Sequence, residues 1–573
     1  MHLSDDIANR IAAHLQKIYK DNFSEGVVNA IYKILSDTPP VRFEKNSLWS
    51  PDDILLITYG DSILSPGKSP LQALQEFLVE YVGDSVTGIH ILPFFPFSSD
   101  DGFSVTDFYR VNPDLGDWDD ILNFEKQYDL MADLVINHVS GHHPWFVNYL
   151  KNEDPGKDYF IEADPHADLS SVVRPRSSPL LTRVLSAGGF RNVWTTFSED
   201  QVDLDFRNPE VLLEIIRVFV FYLQKGIRFV RLDAIAFLWK QAGTSCQHLP
   251  ETHEVVKLLR TIGTAINPGF LLLTETNVPS RENLSYFGEG DEAHMVYQFS
   301  LPPLLLYTLY SGNAVCIMKW MASLPETGKD RTFFNFTASH DGIGLRPLEG
   351  LLPPSAVKEM AESMQRFGGK VSLKKNSDGS ESIYEINLTY FDAMKGTSEG
   401  IDDLQAERFL CSQLIMLGLK GIPAFYIHSL LATPNDYEGM DKTGRARSIN
   451  RRKYTDGEIK SVLKEDTISR RVYNGLKKAV SVRKKQLAFH PGSHQEILAT
   501  GSSFVAFRRC HEETGDTVVC ISNITGHSKE IAATRFMDEG EAWIDLIGNQ
   551  EMTLNRGKIF LEAYQTLWLK TLR

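Results

Sequence analysis

Apolar residues recur at helical spacing near the start of the chain, at Ile7, Ile11, Leu15 and Ile18. This predicts an amphipathic helix, followed by a second apolar helix that ends before Pro39 and Pro40. Residues 1–50 are therefore expected to form a helical N-terminal extension. From residue 54 the pattern changes to short β-rich runs separated by helical segments: ILLITYG, GIHILPFF, LMADLVINH, IRFVRLDA, FLLLTET, MVYQFSL, FFNFTASHD and IPAFYIHSL. Eight such runs alternating with helices, and no Rossmann fingerprint, predict an α/β fold: a closed (β/α)8 TIM barrel.

Two connections are too long for ordinary loops. The segment 139–210, after the third strand, and the segment 342–402, after the seventh, are expected to be inserted subdomains that roof the strand ends. The barrel then comprises 51–138, 211–341 and 403–487. Beyond residue 488 the runs SFVAFRR, TVVCISNIT and EAWIDLIG read as short strands with turns between them, which predicts a C-terminal β-sandwich over 488–573.

Hydrophobic residues at 42% and charged residues at 23% match a globular chain and argue against disorder. A net charge of -15 argues against nucleic acid or an anionic membrane as partner, since both need a broad basic surface. An anionic small molecule must then be held by a local cluster of cations. Five cysteines, an odd number without C-x-x-C spacing, suggest free thiols and neither a disulfide framework nor a zinc site. The opening MHLSDDIANRIAAHLQKIY has no apolar run long enough for a signal peptide or membrane span, so a cytoplasmic protein is expected, as monomer or homodimer.

In a barrel of this kind the chemistry lies where strands run out into loops at the carboxyl-end face. The second run is followed by FSSDDGF, with Asp100, Asp101 and Phe103; the third closes on Asn137 and His138; the fourth carries Arg231 and Asp233; the fifth carries Glu275; the seventh carries His340 and Asp341. Any one of these has a structural reading, such as an ion pair, a helix cap or a satisfied core histidine. Their convergence from five strands is harder to explain that way. Three carboxylates at one mouth suit glycoside chemistry, in which one attacks, one shuttles a proton and other polar groups hold the sugar. Arg231, which cannot deprotonate, would keep Asp233 ionised. His138 and His340 suit sugar hydroxyls, Phe103 offers a flat face to a pyranose, and Glu275 needs a raised pKa to act as an acid.

DLVINH, FVRLDA, LLTET and TASHD, in this order and on these strands, resemble the four signatures of the α-amylase superfamily (glycoside hydrolase family 13). The resemblance implies Asp233 as nucleophile, Glu275 as acid/base and Asp341 as transition-state stabiliser, with His138, Arg231 and His340 in the sugar subsite. HILPFFPFSSDDGF, LDAIAFLWKQAGTSC, FSLPPLLL, SHDGIG and SINRRKY resemble the sucrose-phosphorylase-like branch. That likeness implies glucosyl transfer to inorganic phosphate as co-substrate, no metal or other cofactor, and Asp100 and Arg451 at the far edge of the glucose. Asn137 would belong to a calcium site in an amylase, but this branch implies none.

The helical extension and GLRPLEGLLPP resemble the branch's glucosylglycerate phosphorylases, and Phe237 and Asn277 stand where the sucrose enzymes' pattern has Tyr and His. The implied reaction is reversible phosphorolysis of 2-O-α-D-glucosylglycerate to α-D-glucose 1-phosphate and D-glycerate. Arg174 and Arg176 in VVRPRSSP and Arg346 in GLRPLEG are candidate anion-binding residues, with surface pairing to Asp or Glu as the competing reading. Sucrose or sucrose 6'-phosphate as substrate, and a non-catalytic carbohydrate-binding protein, remain alternatives.

Overall fold

The computed structural model describes residues 4–39, 41, 47–176, 178–375, 381–537, 542–552 and 557–572. Eight parallel strands close into a barrel: β1 (Leu55–Thr58), β2 (Gly88–Ile91), β3 (Asp129–Val135), β4 (Ile227–Asp233), β5 (Leu271–Thr274), β6 (Met295–Tyr297), β7 (Thr332–Phe336) and β8 (Ile422–Tyr426). Each falls on one of the eight β-rich runs, β3 and β7 starting one residue before theirs, and β8 pairs back onto β1 with Leu56 beside Phe425. Nearly every strand residue is buried, as expected where helices cover one face and the barrel interior the other.

The N-terminal extension contains α1 (Asp5–Tyr19) and α2 (Glu25–Ser36), capped by Ser4 and Ser24, whose hydroxyls accept from Ile7 N and Gly26 N. Ile11, Leu15 and Ile18 are buried, whereas Ile7 is only half-buried. Helix α1 lies on the barrel helix α3 (Pro250–Ile266). His14 Nδ1 stands 2.9 Å from Glu254, Lys17 Nζ reaches Glu254 at 3.2 Å, and Lys20 Nζ reaches Glu251 at 2.6 Å. Tyr19 donates its hydroxyl to Phe206 O at 3.2 Å and packs its ring near Trp239.

The insert after β3 closes at a neck where His138–Ser140 pairs antiparallel with Gln201–Asp203. It carries a helix, Pro144–Lys151, and a hairpin of Leu181–Ser186 with Gly189–Trp194. The insert after β7 holds helix Pro354–Arg366 and a small antiparallel sheet in which Glu381–Asn387 lies between Ile343–Gly344 and Lys370–Lys375. At the C-terminus a six-stranded antiparallel sheet and a two-stranded one share a core that includes Phe504, Ile521, Ile531, Ile559 and Leu569. All five cysteines are free; Cys246, Cys411 and Cys520 are buried, and Cys316 and Cys510 half-buried.

Candidate active site

Strand β4 alternates, so Arg231 and Asp233 face the same way, into the barrel. Arg231 is in register with Asp133 of β3, and its Nη1 donates to both Asp133, in a very short contact, and Asp233 Oδ1 at 2.9 Å. His90 Nε2, from β2, lies 2.8 Å from the other oxygen of Asp133. Four side chains from three adjacent strands thus form one polar belt beneath the barrel mouth. Burial alone would raise the Asp133 pKa, but Arg231 and then His90 bring it down to about 2, so Asp133 is a fixed anion.

After Asp233 the chain turns sharply: Ala234 adopts a left-handed conformation at φ 48°. Its N–H donates to Glu275 Oε2 at 2.9 Å. Glu275 itself stands one residue beyond β5. Burial pushes both Asp233 and Glu275 upward, and Arg231 opposes the rise in each. In each, burial outweighs the contact that opposes it, the Arg231 guanidinium at Asp233 and the Ala234 N–H at Glu275.

Asp341 follows β7. Burial would raise it, yet Arg447 and then His340 hold it well below the usual carboxylate range. Arg447 Nη1 lies 2.5 Å from Asp341 Oδ1, and the other side of the same guanidinium grips Glu385 through Nε at 3.0 Å and Nη2 at 2.6 Å. Burial drives the His340 pKa down to about 3, so its imidazole is neutral near pH 7. That ring stacks flat on Phe103, with 4.9 Å between centroids and 11° between planes.

A cavity opens at these strand ends. Asp100, Phe103, His138, Arg231, Asp233, Glu275, His340 and Asp341 line it, as do Arg176 and Arg346. Asp100 sits in a tight turn in which Asp100, Asp101 and Gly102 all have positive φ; a Cβ on Gly102 would come within 2.8 Å of Pro93 O. Both ring nitrogens of His138 have protein partners: Nε2 faces Phe103 O at 3.0 Å and Nδ1 faces Asn137 at 3.2 Å.

Two candidates sit apart from the cavity lining. Arg174 is exposed, its side chain outside the lining, because a two-residue offset in this loop separates it from Arg176. Arg451 lies one layer back: its Nε donates to His340 O at 2.8 Å, and its Nη1 pairs with Asp101, the neighbour of Asp100. The cavity also contains residues that the strand pattern did not point to. Gln201, from the neck, donates to Asp100 Oδ2 at 3.1 Å, while Tyr384 and Arg447 come from the insert after β7 and the loop after β8. The arginine-rich run RARSINRRKY was the one visible signal for Arg447.

Asn137 Oδ1 accepts from the Lys240 ammonium at 2.6 Å, and the same ammonium pairs with Asp203 at 2.6 Å. A buried lysine thus occupies the place where a cation could sit between Asn137 and Asp203. Among the described residues, no group of three or more His, Cys, Asp or Glu side chains is arranged to hold a metal ion.

The α-amylase catalytic-domain family model matches residues 78–341. The chain is 40% identical to the glucosylglycerate phosphorylase of Escherichia coli (strain K12), over 98% of this chain and all of that protein. It is 43% identical to the glucosylglycerate phosphorylase of Allomeiothermus silvanus, over 99% of each. The crystal structure of sucrose 6F-phosphate phosphorylase from Thermoanaerobacter thermosaccharolyticum superposes with a TM-score of 0.73 at 26% identity, covering 89% of this chain and 98% of that one. Full-length likeness of this degree, on a barrel with this arrangement of carboxylates, means that the chain belongs to the α-amylase family, glycoside hydrolase family 13, in the branch that contains the glucosylglycerate phosphorylases.

Proposed function

We propose that this protein is a retaining glycoside phosphorylase that transfers glucose from 2-O-α-D-glucosylglycerate to inorganic phosphate, reversibly. The observation that carries this reading is the makeup of the cavity. Asp100, Asp233, Glu275 and Asp341 line it with Arg231 and Arg447, and two further arginines, Arg176 and Arg346, line the same space. Arg176 makes no hydrogen bond or ion pair with a described residue, and Arg346 has only Gln247 at 3.3 Å and Glu282 at 3.7 Å. Phosphate and glycerate are both anions, so each needs such donors. The relatives named glucosylglycerate phosphorylase support the same substrate.

In this mechanism the Asp233 carboxylate attacks the anomeric carbon as Glu275 gives its proton to the departing glycerate oxygen. The C1–O bond breaks and a β-glucosyl ester forms on Asp233. Asp341, kept ionised by Arg447, faces the positive charge that develops on the sugar. Phosphate then enters where glycerate left. Its oxygen attacks C1, its proton passes to Glu275, and Asp233 leaves as the carboxylate. Two inversions return the α configuration. Phe237 and Asn277 line the acceptor side; Phe237 offers no hydroxyl to a fructosyl group, which favours glycerate over sucrose.

The test is the reverse reaction: purified protein with α-glucose 1-phosphate and D-glycerate should release phosphate and form the α-glucoside. Arg176→Ala should raise KM for phosphate, and Arg346→Ala the KM for glycerate, by roughly ten- to a hundredfold each for a lost charge-assisted hydrogen bond. No phosphate release with glycerate would refute the assignment, and a protein that binds sugars without any turnover would be a carbohydrate-binding module instead.

A further inference from the structure

Arg346 stands out from the other cavity arginines by how it is held. Arg231 and Arg447 each make close contacts with two carboxylates. The Arg346 side chain is only 17% exposed, yet its partners are one long hydrogen bond and one ion pair beyond hydrogen-bond reach. Gln247 is 6% exposed, and its Oε1 accepts from Arg346 Nη2. The Nε2 of the same carboxamide lies beside that guanidinium and has no partner among the described residues. A buried amide donor without an acceptor is costly unless a ligand completes it.

The backbone holds Gln247 in place at some expense. Cys246 and His248 on either side of it both have positive φ, at 51° and 55°. His248 is half-buried and desolvation lowers its pKa to about 4, so it is neutral; its Nδ1 lies 3.0 Å from Tyr286 Oη and its Nε2 3.3 Å from Glu282 Oε2. Glu282 Oε2 has no hydrogen-bond partner among the described residues and faces Arg346 at 3.7 Å.

We infer that Gln247 and Glu282 set the selectivity of Arg346 for a small hydroxy-carboxylate: Gln247 Nε2 is a second donor to the acceptor's carboxylate, and Glu282 is a resident counter-ion that the carboxylate must outcompete. This rests on the reading of Arg346 as the glycerate-binding cation. The two residues act with opposite sign. Removing the charge of Glu282 should strengthen binding of an anionic acceptor, and replacing the Gln247 donor with a carboxylate should weaken it.

The experiment measures reverse synthesis from α-glucose 1-phosphate with D-glycerate and with glycerol in the wild type, Glu282→Gln, Gln247→Glu, Gln247→Leu and Arg346→Ala. For Glu282→Gln the glycerate-to-glycerol ratio of kcat/KM should rise two- to fivefold, the scale of a partly exposed ion pair. For Gln247→Glu it should fall at least tenfold, and for Gln247→Leu by less. A ratio that stays fixed or falls in Glu282→Gln, or stays fixed in both Gln247 variants, overturns the inference. If Arg346→Ala collapses the ratio while the other variants leave it alone, only this inference fails. If Arg346→Ala leaves the ratio unchanged, the reading of Arg346 fails and this inference with it.

Discussion

Arg231 holds two carboxylates on one guanidinium nitrogen, which fixes the buried Asp233 at the end of β4 for the role of nucleophile proposed above. Asp133 is a permanent anion that shares Arg231 Nη1 with Asp233, and Asp233 lines the cavity. Replacing Asp233 by Asn keeps shape and hydrogen bonding but removes the nucleophile, so glucosyl transfer should cease while the thermal midpoint stays near that of the wild type. Glucose 1-phosphate formation above background in that variant would move the nucleophile elsewhere. Glu275 carries the matching prediction. Burial raises its pKa above the ordinary glutamate value, so it is protonated at lower pH and loses its proton as the pH rises through the raised value. Turnover of glucosides with poor leaving groups should therefore fall on the alkaline side. In Glu275→Gln that limb should disappear, with the largest rate losses on poor leaving groups. Equal losses on good and poor leaving groups would make Glu275 a positioning residue.

At the scale of elements, the neck of the first insert depends on a buried charge. The Lys240 ammonium joins Asn137, at the end of β3, to Asp203, on the returning strand of the neck. His138 and Gln201 in the same neck reach Phe103 and Asp100, so this pair also supports the sugar end of the cavity. Lys240→Met would leave Asp203 buried without its cation, a loss of about 3 to 5 kcal/mol, and should lower the thermal midpoint distinctly. A midpoint equal to the wild type would show that Asp203 is satisfied by Thr196 and Asn137 alone. The eight strands and the groups at their ends were legible because burial on both faces writes continuous apolar runs, and a charged residue ending such a run is conspicuous. Loops carry no such period. Among Arg445, Arg447, Arg451 and Arg452, nothing local distinguishes the one that meets Asp341, and the same holds for Arg174 against Arg176. Lys240 could not be assigned either, since its partners lie 103 and 37 residues earlier in the chain.

Over the whole molecule, the N-terminal extension is part of the folded body. Leu15 and Ile31 are fully buried, and Lys17 of α1 and Lys20 just beyond it pair with Glu254 and Glu251 at the start of α3. Helix α3 follows directly on the loop that carries Phe237 and Gln247, so α1 packs behind a segment that reaches the cavity at Phe237. Leu15→Ala should cost about 2 to 5 kcal/mol, read as a fall in the thermal midpoint of the main transition. A small separate transition with the main one unmoved would mean that α1 and α2 melt independently of the barrel.

Transfer of glucose from glucosylglycerate to phosphate with retention is the reaction proposed for this cavity. Its most direct test is phosphorolysis of 2-O-α-D-glucosylglycerate, sucrose, sucrose 6'-phosphate and 2-O-α-D-glucosylglycerol under one condition. The glucose 1-phosphate is quantified, and its anomeric form is read by NMR. The account predicts α-glucose 1-phosphate, with kcat/KM for glucosylglycerate at least roughly tenfold above each other donor, the worth of about one well-placed charged contact. Equal or faster turnover of sucrose or its phosphate, the β anomer as first product, or free glucose as the main product in saturating phosphate would contradict it.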